Sequence, residues 1–95
     1  MARFRRLVLD VLKPHEPDVP ELAARVVDCE GVDGANLALV EIDRKVENVK
    51  LTVEGEDVDL AALREVIEGF GASVHFIDEV AAGDRVVEAG ETPQD

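Results

Sequence analysis

Two hydrophobic spacings take turns along this chain. Residues 3–12 carry Leu7, Leu9 and Val11 on one side and Val8, Asp10 and Leu12 on the other, which is the two-residue period of a strand. Pro14 and Pro17 are expected to end it, because each lacks a backbone N–H and biases the preceding residue to extended conformations. Asp18 then stands three residues before Glu21, with Pro20 between them. That is a capping-box spacing with aspartate in the Ser/Thr place and a proline in the first turn, where its missing N–H is harmless. Leu22, Ala23, Val26 and Val27 follow at helical spacing, and Gly31 is a suitable stop.

The period returns to two in "GANLALVEID", residues 34–43, and in "ENVKLTVEG", residues 47–55. In the second of these Val49, Leu51 and Val53 alternate with Lys50, Thr52 and Glu54. The short polar turn around Arg44 and Lys45 predicts a hairpin. Asp57 or Asp59 is placed to cap a second helix, with Leu60, Leu63, Val66, Ile67 and Phe70 inward and Gly71 just past its end. "ASVHFIDEV", residues 72–80, reads as the last strand. The remainder is polar and punctuated by glycine, with room for at most a two- or three-residue strand over 85–88. Residues 1–83 are therefore read as one domain, and 84–95 as an acidic tail that clasps a neighbouring subunit.

The order β-α-β-β-α-β predicts an α+β fold. Two right-handed crossovers joined through a hairpin give a ferredoxin-like sandwich, a four-stranded antiparallel sheet with both helices on one face. Strict alternation puts Leu7, Leu9, Val11, Val49, Leu51, Val53, Val74 and Phe76 against the helices. Val8, Asp10, Leu12, Lys50, Thr52, Glu54, His75, Ile77 and Glu79 then point away, and the alternation of the second strand is ambiguous. The second set is too apolar for plain solvent surface and too charged for a second core, a mixture that marks a subunit contact or ligand platform.

Composition sharpens this picture in three ways. Ninety-five residues make one domain that buries roughly 60–65% of its unfolded surface, so the core is thin. Three phenylalanines are the only Phe, Trp or Tyr residues, leaving that core to Val, Leu, Ile and Ala. Twenty-two acids against ten bases give a formal charge of −12, and only Lys13, Lys45 and Lys50 are lysines. Such a charge repels itself at low ionic strength and is screened at high salt, as in a salt-rich cytoplasm; it also disfavours a polyanionic partner such as nucleic acid. Cys29 is the single cysteine, so no intrachain disulfide or Cys-pair metal site exists. The start "MARFRRLVLDVLK" is too short in its apolar run, and too charged at Asp10, for a signal peptide. No run approaches a membrane span, so a cytoplasmic location is expected.

Several chemistries lack their residues. The loop after the first strand reads "KPHEPD", without the Cys-x-x-Cys of ferredoxin-like metal carriers, and one cysteine cannot hold an iron–sulfur cluster. The central strands offer no stacking aromatics for RNA. No Gly-rich phosphate loop, serine elbow or His-Glu zinc signature appears.

"DVLKPHEP" at 10–17, "VEID" at 40–43, "DEV" at 78–80 followed by "AG" at 82–83, and the closing "TPQD" together resemble a small archaeal family, domain of unknown function 211. The resemblance spans essentially the whole chain, and the "LKPHEP" corner is its most specific part. It implies a ferredoxin-like single domain that assembles into closed rings of about seven subunits, with calcium among the ligands. It assigns no activity. It also makes Asp10, Lys13, His15, Glu16, Asp43, Asp78 and Glu79 residues of interest.

Each candidate has a bland and a functional reading. Asp10, alone among aliphatic residues, either pairs with Lys50 on the neighbouring strand or joins Asp43, Asp78 and Glu79 as oxygen ligands of a hard cation such as calcium. The "KPHEP" corner, with Lys13, His15 and Glu16, is stiff enough to fix a loop at a subunit contact, and Lys50, Glu54 and His75 extend that contact along the sheet. Arg3, Arg5 and Arg6 are candidate partners for a neighbour's acids. The expected function is a non-enzymatic homo-oligomeric module that binds a cation or small regulatory ligand at subunit contacts. The alternative is an enzyme whose composite site uses His15 with Asp10 or Glu79.

Overall fold

The structure, a computed structural model, describes residues 3–90. Six elements follow in the expected order: β1 (Phe4–Pro14), α1 (Val19–Val27), β2 (Gly34–Ile42), β3 (Val46–Glu54), α2 (Leu60–Gly69) and β4 (Ser73–Ala82). The strands form one antiparallel sheet in the order β2-β3-β1-β4, so β1 and β3 are central and β2 and β4 are the edges. This is the ferredoxin-like βαββαβ arrangement.

Both helices start where their caps stand. Asp18 accepts a hydrogen bond from the Glu21 N–H at 3.0 Å, and Asp59 accepts one from the Ala62 N–H at 3.0 Å, each satisfying a donor that the first turn leaves unpaired. Leu22 and Val26 of α1 and Leu63 and Ile67 of α2 are the buried positions, spaced as one helical stripe. They pack on Leu7, Leu9, Val11, Leu51 and Val53 of the central strands, with Val58, Cys29 and Ala72 closing the core. That core is aliphatic; Phe4 and Phe70 only border it. Of the residues at helical spacing Val27 is exposed, and α1 ends at Asp28 before the chain reaches Gly31.

The α1–β2 and β3–α2 loops cross so closely that neither has room for a side chain. A Cβ on Gly55 collides with the Gly31 carbonyl, and a Cβ on Gly31 collides with that of Asp57. Gly31 also has φ +86°, a conformation only glycine adopts freely.

β1 ends at Pro14 as expected, with the strand itself running two residues past the expected 12 so that Pro14 lies opposite Val46. One correction concerns the sheet. β4 breaks its alternation twice. Val74 pairs with Val11 and Phe76 with Asp10, leaving His75 as an extra residue. Ile77 pairs with Leu9 and Glu79 with Val8, leaving Asp78 as another. Each bulge moves later side chains to the opposite face. Phe76, expected against the helices, therefore lies on the open face, and Ile77, expected on the open face, lies on the helix side. β2 has one such irregularity, at Val40. No strand forms over residues 83–90, and the closing residues 91–95 of the expected tail lie outside the described residues.

Candidate functional site

On the open face the register lays side chains out in rows across β2, β3, β1 and β4. Gly34, Glu54, Arg6 and Ala81 form the first row, and Asn36, Thr52, Val8 and Glu79 the second. Ala38, Lys50, Asp10 and Phe76 form the third, and Glu41, Asn48, Leu12 and Ser73 the fourth. Asp10 is thus central and half-buried, flanked by Lys50 on one side and Phe76 on the other. It is a cross-strand neighbour of Lys50 without closing an ion pair, since among the described residues the salt bridges involve other groups.

Arg6 organises one end of this face. Its guanidinium donates to Glu54 at 2.7 Å, to Glu79 at 3.3 Å and to both carboxylate oxygens of Glu88 at 3.0 Å. The fixed fork of donors suits arginine to gather several carboxylates. Three acids hold the guanidinium even more firmly protonated than usual, Glu88 most of all, and Arg6 in turn holds the Glu88 carboxyl below the ordinary carboxylate range. Arg3 pairs with Asp84, and Arg5 donates to the carbonyls of Gly55, Gly83 and Asp84. The segment after Gly83, expected to reach a neighbour, is therefore tied as far as Glu88 to its own β1. Glu54 and Glu79 belong to this cluster.

The "KPHEP" corner encloses Lys13. Its side chain lies on the helix side of β1, 0% exposed, and its ammonium meets Glu47 Oε1 at 2.9 Å and the carbonyls of Pro17 and Pro14 at 2.6 and 2.7 Å. Three donors find three close acceptors, which is what makes a buried charge tolerable. Lys13, expected at a subunit contact, is thus enclosed by its own corner. The other oxygen of Glu47 is 3.0 Å from His15 Nδ1, while His15 Nε2 is 2.8 Å from the Arg44 carbonyl. Glu47 raises the His15 imidazole above its ordinary value near 6.5, helped by the Arg44 carbonyl, while partial desolvation and Lys13 oppose. The two cations, His15 first and then Lys13, hold the Glu47 carboxyl low. Glu47 was not a candidate in the sequence. Its signal was available in the register: once Val11 faces Val49, Lys13 must face Glu47.

The four acids proposed as cation ligands do not come together in one chain. Glu79 is held by Arg6, Asp43 accepts from the Arg44 N–H at 2.6 Å, and Asp78 sits at the outer bulge of β4. Among the described residues no three His, Cys, Asp or Glu side chains converge on a point a metal could occupy. His15, Asp10 and Glu79, the set of the enzymatic alternative, fall in three separate settings: the corner, the third row and the Arg6 cluster. Glu16 and Lys50 are exposed, and exposed His75 lies against Phe76 with ring centroids 4.3 Å apart. Among the described residues no helix is long and apolar enough to cross a membrane.

The DUF211 family model, described as uncharacterised ArCR, matches residues 5–95. The chain belongs to the DUF211 family. It is also similar to the uncharacterised protein MJ0319 of Methanocaldococcus jannaschii, 45% identical over 95 residues that cover all of this chain and 98% of that protein. Among the described residues, those that carry the resemblance lie in the Lys13 corner, along the outer half of β2 and on the bulged stretch of β4.

β2 and β4 also carry six of the eight exposed large hydrophobics among the described residues. Leu39, Val40 and Ile42 on β2 and Phe76, Ile77 and Val80 on β4 are exposed large hydrophobics, Val40 and Ile42 at 62% and Phe76 at 59%. Beside Ile42 an open groove of about 350 Å³ runs between Leu12, Glu41, Asp43, Val46 and Asn48.

Proposed function

We propose that this DUF211 chain is a non-enzymatic self-assembling module whose two edges mate head to tail. The observation that carries the reading is the pair of unlike apolar edges. β2 and β4, at opposite ends of one sheet, each present three exposed large hydrophobics. An edge strand left apolar and uncovered is an association site unless something blunts it. Because the two edges differ in sequence, a contact between them is heterologous, and heterologous contacts close into rings when the rotation per step allows. The bulges at Val40, His75 and Asp78 interrupt the outer hydrogen-bonding rows of both edges, so the mating is by side chains more than by one continuous sheet. The ring of about seven chains implied by the sequence resemblance is such a closed heterologous assembly.

A cation fits this reading at the contact. Asp43, next to the end of β2, and Asp78, at the β4 bulge, lie at opposite edges of one chain, so head-to-tail mating brings an Asp43-bearing edge to an Asp78-bearing one. Carboxylates from two chains supply the oxygen-rich surroundings that calcium takes and that one chain does not assemble. A non-enzymatic role is favoured by the engagement of the candidate base. Both ring nitrogens of His15 already face acceptors of its own chain, so neither is turned toward an incoming substrate.

Native mass by light scattering in about 2 M KCl, where the screening length falls below about 3 Å, tests the reading. A single multi-chain species at all working concentrations is expected, loosened by chelator and restored by calcium. A monomer would overturn it, and an assembly indifferent to chelator would remove the cation from it.

A further inference from the structure

His15 stands between two groups that can only accept. Glu47 Oε2 is a carboxylate oxygen and the Arg44 oxygen a backbone carbonyl, 3.0 and 2.8 Å from the two ring nitrogens. A neutral imidazole has one N–H and one lone pair, so it serves one of these partners and turns a lone pair on the other; only the imidazolium serves both. The ring thereby bridges segments far apart in sequence, the corner after β1 and the turn between β2 and β3. Its side chain is 43% exposed, so the proton has a direct route to water.

We propose that His15 is a protonation-dependent latch on the β2–β3 turn: charged, it pins the turn to the "KPHEP" corner, and neutral, with its one N–H kept by the Glu47 carboxylate and a lone pair left facing the Arg44 carbonyl, it releases the turn together with the apolar end of β2. The neighbouring pair keeps the release local. Lys13 stays bonded to Glu47 Oε1 and to the Pro14 and Pro17 carbonyls whatever the state of the imidazole, so β1 and β3 keep their register while the turn alone loses its outer tie. The charged groups that act on the ring are Glu47 from β3 and Lys13 from β1; Glu16 follows it in the corner, and Asp43 and Lys45 flank Arg44 in the turn. Glu47 favours the cation and Lys13 opposes it, and the balance lies with the cation.

The direction follows from that balance. A folded-state value above the ordinary 6.5 means that the latch is closed below about 6.5 and opens as the pH rises through the higher folded value. At the acid end it opens again once Glu47, held low by His15 and Lys13, finally takes a proton. The released segment carries Ile42, Asp43 and Arg44 beside the proposed β2 contact, so the consequence for assembly rests on the head-to-tail reading, whereas the latch itself does not.

The test follows the His15 ring protons by NMR, backbone amide protection at Arg44, Lys45 and Val46, and native mass, on the same samples from pH 5 to 9 in about 2 M KCl. His15→Gln, an exposed change that leaves the Lys13–Glu47 pair in place, assigns the signal and removes the second tie. Expected are a His15 transition above 6.5, a several-fold loss of turn protection over that same transition, no such step in His15→Gln, and weaker assembly wherever the turn is released. A His15 transition at or below 6.5, or turn protection without a step, overturns the latch. A step at the turn in a chain that is monomeric throughout keeps the latch and overturns the assembly reading. A step at the turn with an unchanged assembly overturns the coupling between them.

Discussion

Lys13 and Glu47 stand opposite each other on β1 and β3 and close a 2.9 Å ion pair on the helix side of the sheet, just where the aliphatic core ends. The stiff "KPHEP" corner has a structural reason in this pair. Pro14 and Pro17 turn their carbonyls onto the ammonium, so the loop that follows β1 is wrapped around the lysine at the strand's end.

Lys13→Met is therefore expected to destabilise the fold by about 3–5 kcal/mol, the usual cost of removing one partner from a buried ion pair. Urea unfolding in high salt measures it. A loss below about 1 kcal/mol, the range of a surface ion pair, would mean that the corner does not depend on the ammonium.

The crossing of the two loops predicts a contrast among glycines. Gly55→Ala and Gly31→Ala drive a Cβ into backbone carbonyl oxygens, which cannot swing away as a side-chain tip can. Both should lower the melting temperature sharply. Gly69→Ala, in α2 with open space around it, should raise stability by about 0.5–1 kcal/mol through helix propensity. Equal effects at all three positions would contradict the packing described.

How much of this was legible from residue order follows from which forces act locally. The element order, the Asp18 cap and the central-strand core residues were readable, because helix caps and strand alternation are local patterns; the second cap was narrowed to Asp57 or Asp59, of which Asp59 caps α2. Phe76 and Ile77 were assigned to the wrong faces, because nothing in "ASVHFIDEV" announces two bulges; those arise from pairing with β1. Glu47 escaped notice for a similar reason: beside Asn48 it looks like hairpin polarity, and only the β1–β3 register gives it Lys13. Arg6 was read as a partner for another chain's acids, yet it finds Glu54, Glu79 and Glu88 in its own. The unlike edges could not be recognised as edges until the sheet order was known.

The Arg6 cluster predicts pH-dependent docking of the segment after Gly83. Glu88 is held below its ordinary value of 4.5 by Arg6, so its contribution is fully present above that value and is lost as the pH falls through the lower folded one. Limited proteolysis near residues 85–90 should be slow at pH 7 and faster near pH 3. It should be fast at both in Arg6→Gln. Equal rates in wild type and Arg6→Gln at pH 7 would show that the cluster does not hold the segment.

The charge of −12 predicts that salt stabilises the chain. Raising KCl from about 0.1 M to about 2 M shortens the screening length from about 10 Å to below about 3 Å and should raise the melting temperature. The attractive clusters at Arg6 and Glu47 weaken with salt, so a fall in melting temperature would mean that they outweigh the repulsion.

The central claim, two unlike edges that mate head to tail, is tested most directly by mixing two edge variants. Val40→Lys disables β2 and Phe76→Lys disables β4, each at an exposed position that the core does not use. Light scattering should find each variant monomeric alone and their equimolar mixture dimeric, because one intact β4 edge then meets one intact β2 edge and nothing further can add. A mixture that stays monomeric, or variants that each assemble as fully as the wild type, would contradict the account.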